Sequence, residues 1–276
     1  MILNVVYLFD GYQNLDVCLR GFRVTASADC CDRVKKLHNQ GEFEAAAHVA
    51  AVALGEHPNN ARLWELLGIA CHAMKDFEAA TRALETATML APLSLSAQVA
   101  LAGCYLVSGH GEVARSMYEH LVSVRDRLST QLLRMVVAGL SRLHEPHLAL
   151  EVARQWARRE PDDEGAVHTV AHYMRLVDYP PELILPVAHH AFQLAPHRVR
   201  NRVALALLHH QCGDVLEAYR LVTAIGTDQL IAACCPARLL GLGSLFNAMG
   251  DTVRREACRA RRAEVSSSRP DRQRMM

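Results

Sequence analysis

The chain has 276 residues, of which 51% are hydrophobic and 21% are charged, and its net charge is +1. The hydrophobic fraction excludes disorder over most of the length, and the near-neutral charge provides no global field that would draw the protein to nucleic acid or to a membrane. Alternating strand patterns are nearly absent, so an all-α chain is expected.

Residues 1–26 do not follow the pattern of the rest of the chain. Their apolar stretch from Met1 to Phe9 lacks a basic start and is interrupted by Asp10, so it is a poor signal peptide. No segment reaches the roughly 18 continuous apolar residues that a membrane-spanning helix needs. We therefore expect a cytoplasmic protein without membrane insertion, in which residues 1–26 form either a cap on the first helical repeat or an irregular arm.

From residue 27 onward the sequence repeats with a period of 34 residues. Trp64 and Gly68 lie in the sharpest copy, 61–94, and Pro92 closes it. The preceding copy, 27–60, carries the same residue types 34 positions before Phe77, Ala80 and Pro92, as Phe43, Ala46 and Pro58. Such self-similarity predicts a stack of helix-turn-helix units, because one unit cannot bury its own apolar face.

Five further copies follow. They are predicted at about 95–128, 129–163, 164–198, 199–232 and 236–265. The fourth has gained one residue, which we place near Glu145-Pro146, and the fifth is distorted by Pro180-Pro181 and Pro186. Residues 266–276 contain Ser, Pro and Arg without apolar periodicity, so a disordered tail is expected there.

Small residues recur where the two helices of each unit are expected to cross. They are Ala46, Ala80, Ala114 and Ala218, with Gly68 and Gly243 on the first helices. A larger side chain at such a place would hold the helices apart, and overpacking typically costs about 1–3 kcal/mol. The small residues therefore predict close helix packing.

These residues resemble the tetratricopeptide repeat (TPR) family. The positions at which that family places its Trp, Leu, Gly, two small residues and terminal Pro are occupied by Trp64, Leu67, Gly68, Ala80, Ala87 and Pro92. The resemblance is specific over 61–94 and degenerate elsewhere, although the spacing persists. It implies a right-handed α-solenoid of about seven stacked hairpins over 27–265. It also implies a non-catalytic interaction scaffold or adaptor without a cofactor, which binds a protein or peptide partner and can act in a chaperone-like manner.

In TPR proteins the first helix of each hairpin, the A helix, lines a concave groove. The repeat period predicts which A-helix residues face this groove. These residues are apolar in the central repeats and rich in His and Arg in the repeats at both ends. The predicted groove residues are Lys35, His38, Arg62, His72, Val99, Leu106, Val107, Leu133, Val137, Leu140, His168, His172, Arg175, Arg200 and His210. Such a groove suits a peptide with apolar anchors and acidic flanks. The competing interpretation is that the central apolar side chains pack between adjacent A helices and leave little exposed.

No pattern indicates a catalytic, cofactor or metal site. Nucleophile elbows and phosphate-binding glycine loops are absent. His168 and His172 are four residues apart on one helix face, but carboxylates that would complete a metal site are scarce nearby. The nine cysteines lack C-x-x-C spacing, so we interpret them as reduced thiols in helices.

The Arg-rich C-terminal end leaves a second function open. Eight Arg lie between Arg254 and Met276. The alternative to a protein scaffold is therefore regulatory binding of nucleic acid or a small ligand, through this basic end or through the groove. A solvated capping helix with a loose tail explains the same residues equally well.

Overall fold

The computed structural model describes residues 27–267, and in this range the chain forms 15 α-helices and one 3₁₀ turn, without a strand. The helices are α1 (Ser27–Asn39), α2 (Phe43–Glu56), α3 (Ala61–Ala73), α4 (Phe77–Leu90), α5 (Leu95–Val107), α6 (Gly111–Ser123), α7 (Thr130–Arg142), α8 (Pro146–Arg159), α9 (Glu164–Leu176), α10 (Pro181–Leu194), α11 (Val199–Gln211), α12 (Val215–Thr223), α13 (Thr227–Ala232), α14 (Pro236–Ala248) and α15 (Thr252–Ser267). A and B helices alternate, and α13 is an extra short helix after the sixth hairpin. The all-α repeat solenoid fold predicted from the sequence is confirmed.

The chain packs as two compact units, which divide near residue 148. The first contains α1 to α7, and the second contains most of α8 and all of α9 to α15. A single continuous solenoid over 27–265 stays a prediction. The predicted cap or arm at 1–26 lies outside the described residues, as does the tail at 266–276 except for its first two residues, which end α15. None of the described helices has the length and apolar character needed to cross a bilayer.

Each hairpin turn contains one residue with a positive φ angle. Four of these residues are Gly41, Gly109, Gly213 and Gly250, and the other three are Lys75, His144 and Asp178, with φ of 66°, 58° and 56°. The same backbone hydrogen bond closes every turn; in the second hairpin the Asp76 N–H donates to the Cys71 carbonyl at 3.0 Å. A positive φ is easy for Gly but sterically costly for other L-residues. Three turns therefore carry backbone strain that a glycine would relieve.

Replacing exposed His144 by Gly should stabilise the protein by about 0.5–1 kcal/mol, because Gly adopts the required φ without the Cβ clash. Gly109→Ala, at the equivalent turn of the previous hairpin, is the matched control and should destabilise by a similar amount. Urea unfolding of both variants measures the change. A loss of stability in His144→Gly would contradict the turn geometry.

The small residues at the helix crossings are packed as predicted. Ala46, Ala80, Ala114 and Ala218 are all fully buried. A Cβ on Gly68 would lie 2.5 Å from Leu84 Cγ and 3.2 Å from the Ala80 carbonyl oxygen. The expectation for Gly243 is wrong, because a Cβ there meets no atom within 4 Å; Gly241 makes the close approach instead, to Leu207. Two positions along a helix are about 200° apart around its axis, so only one of these glycines can face the neighbouring helix.

Gly68→Ala should lower the stability by roughly 1 kcal/mol, because the overlap with Leu84 outweighs the better helix propensity of Ala. Gly243→Ala makes the same chemical change in open space and should raise stability by about 0.5–1 kcal/mol. Thermal unfolding of the two variants compares them directly. Equal shifts in the same direction would show that packing at Gly68 is not limiting.

The residue gained in the fourth hairpin is not where we predicted it. α5 begins at Leu95 and α7 begins at Thr130, 35 residues later, whereas α1, α3 and α5 begin at intervals of 34. The spacing from α7 to α8 is unchanged, so nothing is inserted near Glu145-Pro146. The extra residue lies before α7, in the link formed by the 3₁₀ turn Arg125–Arg127 and the buried Leu128. A strict 34-residue register is therefore wrong by one position at α7 and α9, and the offset grows to two positions at α11.

Candidate functional site

The A helices of the first unit line an open groove of about 630 Å³. α1, α3, α5 and α7 all contribute to it. Its larger apolar side chains are Phe43, Ile69, Phe77, Val99, Leu106, Val107, Leu132 and Met135. Lys75 and Arg142 are its cationic residues. Among the described residues the lining is therefore mostly apolar, with positive charge at two positions.

His38 and His72 lie in this groove, each against the Phe that begins the following B helix. The ring centroids are 5.1 Å apart for His38 and Phe43 and 5.7 Å apart for His72 and Phe77. Burial lowers the pKa of both imidazoles, so both are neutral at pH 7. This end of the groove is therefore an aromatic wall with neutral histidines, and Lys75 is its cationic residue.

Lys35 and Arg62, which were also assigned to this end, do not line the groove. The Lys35 ammonium lies 2.9 Å from an Asp32 carboxylate oxygen, and the Arg62 guanidinium lies 2.8 Å from Glu65. Glu65 is buried and also accepts a hydrogen bond of 3.3 Å from the Ser94 backbone N–H. Neighbouring carboxylates therefore compensate both positive charges.

On α7 the sequence selected the wrong helix face. Leu133, Val137 and Leu140 are buried, with 0%, 7% and 1% of their surface exposed, and they do not line the groove. Leu132 and Met135 line it instead. The cause is the extra residue before α7, because one position turns a side chain by about 100° around the helix. The competing interpretation, packing inside the helix stack, thus holds for these three residues, whereas Leu106 and Val107 line the groove.

The second unit contains a smaller pocket of about 160 Å³ among α9, α10, α11 and α14. Four predicted residues line it: His168, His172, Arg175 and His210. Sequence reasoning missed Asn201 and Arg238, which line the same pocket. The sequence does contain a signal for Asn201: it is polar at a position of the A helix where the second repeat has the apolar Leu63. The sequence contains no such signal for Arg238, because the extra helix α13 interrupts the repeat period before α14.

Arg200, the remaining predicted residue, does not line this pocket and is held by Glu164. Its Nε and Nη2 donate to the two carboxylate oxygens at 3.2 and 2.6 Å, and Arg198 lies 3.3 Å away. Burial raises the pKa of Glu164, but the hydrogen bonds from Arg200 and the charges of Arg200 and Arg198 outweigh it, so the net pKa is lowered. Glu164 therefore stays ionised and compensates the charge of Arg200.

His168 and His172 are neutral at pH 7. Burial, followed by the charges of Arg200 and Arg238, lowers the pKa of His168 to about 4. Burial and the charges of Arg175 and Arg238 also lower the pKa of His172. Across residues 27–267 no group of three or more His, Cys, Asp and Glu side chains is arranged to hold a metal ion. The pocket thus combines neutral imidazoles with positive guanidinium groups.

The low pKa of His168 predicts a loss of stability on acidification. Between about pH 6.5 and pH 4 the unfolded state binds a proton on His168 that the folded state does not, so stability falls as the pH falls through this window. His168→Gln should therefore reduce the drop in melting temperature between pH 7 and pH 5. The exposed His197→Gln is the control and should leave the drop unchanged. An undiminished drop in His168→Gln would contradict the assigned environment.

The proteins to which this chain is similar are TPR proteins. The tetratricopeptide repeat profile matches residues 37–97. No curated protein matches the sequence significantly. The C-terminal part of a TPR repeat-containing protein from Cytophaga hutchinsonii is similar in structure, with a TM-score of 0.60 at 10% identity over 87% of this chain and 96% of that chain.

Two further solved structures show the same likeness. YrrB, described as a TPR protein with an unusual peptide-binding site, gives a TM-score of 0.57 at 16% identity over 72% of this chain and 98% of its own. PilF of Pseudomonas aeruginosa gives 0.53 at 14% identity over 76% and 97%. At these identities the likeness concerns the fold alone. The family profile identifies residues 37–97 as tetratricopeptide repeats, and hairpins of the same kind recur in both units, so both units have the helical-hairpin fold of TPR proteins.

Proposed function

We propose that the protein is a non-catalytic interaction scaffold or adaptor whose first unit binds a segment of a partner protein in the groove between α1, α3, α5 and α7. The TPR fold supports protein–protein interaction in general. The observation that carries the specific proposal is the apolar groove on the A-helix face. Its partner is a peptide, extended or helical, with apolar anchor residues.

The lining of the groove supports binding through apolar anchors. Val107 is 40% exposed and Leu106 is half-buried, and both line the groove, as does Met135. Exposed apolar surface of this kind marks interaction sites, and buried apolar anchors usually dominate the energy of an interface. The neutral His38 and His72 add aromatic contact without charge. Chaperone-like holding of an exposed apolar segment is one form that this binding can take.

The charges of α15 favour a protein partner over nucleic acid. Arg254 donates to the Thr223 carbonyl at 3.0 Å and lies 3.7 Å from Asp251. Arg255 and Arg261 are each about 3 Å from a glutamate of the same helix. Within the described part of this helix, much of the positive charge is therefore compensated locally, which weakens the case for phosphate binding.

The cysteines suggest the compartment in which the scaffold works. Eight of them lie in the described residues, and none of these eight forms a disulfide. Free thiols in this number are typical of proteins from a reducing environment. We therefore propose a cytoplasmic location.

Leu106→Asp and Met135→Asp should each weaken partner binding at least about tenfold, because both place a charge among the apolar anchors of the groove. Met89→Asp is the matched control: Met89 is 81% exposed on the B helix α4, so its substitution should leave binding unchanged. The partner is first captured from the native host with the tagged full chain, and dissociation constants are then measured. Circular dichroism checks that each variant is folded.

The same measurements distinguish binding at the A-helix groove from binding at the B-helix surface. If Met89→Asp abolished binding while both folded groove variants bound normally, the partner would use the B-helix surface. The groove proposal would then be wrong.

A further inference from the structure

The pocket of the second unit contains two guanidinium groups without an ion-pair partner in the described part of the chain. Arg175 from α9 and Arg238 from α14 both line it, and among residues 27–267 neither forms an ion pair. Arg200, close by, is paired with Glu164 at 2.6 Å. Arg238 is half-buried and Arg175 is exposed, and an anionic group that enters the pocket can form charge-assisted hydrogen bonds with both.

Asn201 adds a hydrogen-bond acceptor to this pocket. It is only 1% exposed, and its amide nitrogen donates to the Ala191 and Ala195 carbonyls at 3.0 and 3.3 Å. These two bonds determine which end of the amide carries the oxygen. Oδ1 is buried and has no hydrogen-bond partner. Buried polar atoms are rarely left unpaired, so this oxygen indicates a ligand with an N–H or O–H donor.

A second buried atom of the pocket has the same property. His210 Nδ1 has no hydrogen-bond partner, whereas Nε2 lies 3.2 Å from the Ser244 hydroxyl. When Nε2 donates to that hydroxyl, Nδ1 is an acceptor. The pocket therefore offers two cations together with the buried acceptor Asn201 Oδ1, which lacks a donor, and a simple anion would satisfy only the cations.

The size and walls of the pocket limit the ligand further. A volume of about 160 Å³ is small beside the roughly 300–1,000 Å³ of pockets for drug-sized molecules. It suits one side chain or a small acid and is too small for a nucleotide. Ile184, Leu207 and Leu208 supply apolar walls, which suit the methylene groups of such a side chain.

We propose that this pocket binds a carboxylate group that stands next to an N–H donor, as an acidic residue of a peptide does. The carboxylate binds Arg175 and Arg238, and the N–H donates to Asn201 Oδ1. The neutral His168 and His172 complete the wall without competing for the anion. This site lies in the second unit and does not depend on the function proposed for the groove of the first unit.

The test uses the full chain and four small probes in a calorimetric or NMR titration. N-acetyl-glutamate N-methylamide carries both groups, and the glutamine analogue lacks only the charge. The glutamate probe should bind at least about tenfold more tightly than the glutamine probe, because charge-assisted hydrogen bonds to Arg are lost in the latter. Free glutamate tests whether the source is an amino acid and not a peptide; tighter binding of either source supports the site. Equal binding of the glutamate and glutamine probes, no binding, or equally tight binding of inorganic phosphate would overturn it.

Variants place the binding at this pocket. Arg238→Gln and Arg175→Gln should each weaken the glutamate probe about tenfold. Arg220→Gln on α12 removes the same charge from a side chain that is 78% exposed, and should have no effect. Circular dichroism confirms that the variants are folded. Unchanged binding in both pocket variants would overturn the proposal.

Cys235 provides a local readout in the unmodified protein, because it is exposed and lines the same pocket. Iodoacetate carries a carboxylate that iodoacetamide lacks, and both alkylate a thiolate with release of iodide. The ratio of the iodoacetate rate to the iodoacetamide rate at Cys235, measured by peptide mass spectrometry, should fall in Arg238→Gln. The ratio at the exposed Cys212, outside the pocket, should not change. A constant ratio at Cys235 would contradict carboxylate binding beside Arg238.

Discussion

Close contact between the two helices of each hairpin is the constraint on which both candidate sites depend. Ala80 is fully buried at such a crossing, and Gly68 has no room for a Cβ against Leu84. Helices whose contact residues are this small can pack at the short end of the usual distance of about 8–10 Å. The A helices of one unit are thereby brought side by side, and their facing residues form a continuous lining. Larger side chains at the crossing would separate the helices and so change the shape of the groove, even though the residues that line it would be unchanged.

The two units build different surfaces from the same kind of hairpin, and the position of the carboxylates explains the difference. In the first unit Asp32 and Glu65 compensate the nearby Lys35 and Arg62, so the groove lining is mostly apolar, with positive charge at Lys75 and Arg142. In the second unit Glu164 compensates Arg200 and Arg198, but no carboxylate within residues 27–267 forms an ion pair with the arginines of the pocket. One surface therefore suits recognition by buried apolar groups, and the other suits recognition by charge.

The histidines contribute shape more than charge. Burial lowers the pKa of His38, His72, His168 and His172, so each is neutral at pH 7. A high histidine count suggested basic ends for the groove, but an imidazole that loses its water in a helix stack loses its proton as well. Protonation of these side chains is instead coupled to unfolding, because acidification favours the unfolded state in which they are solvated.

The sequence by itself determined the number and kind of hairpins, because turns, caps and small contact residues such as Gly68 act on the local backbone. It did not determine which face of α7 lines the groove: the sequence assigned Leu133, whereas Met135 lines it. One extra residue before α7 rotates the side chains by about 100° around the helix axis. Nothing in the sequence marks where that residue is accommodated. Asn201 and Arg238 share a pocket only through the packing of α11 and α14. Tertiary structure thus decided which side chains meet and which charges stay unpaired, since both depend on contacts between residues far apart in the chain.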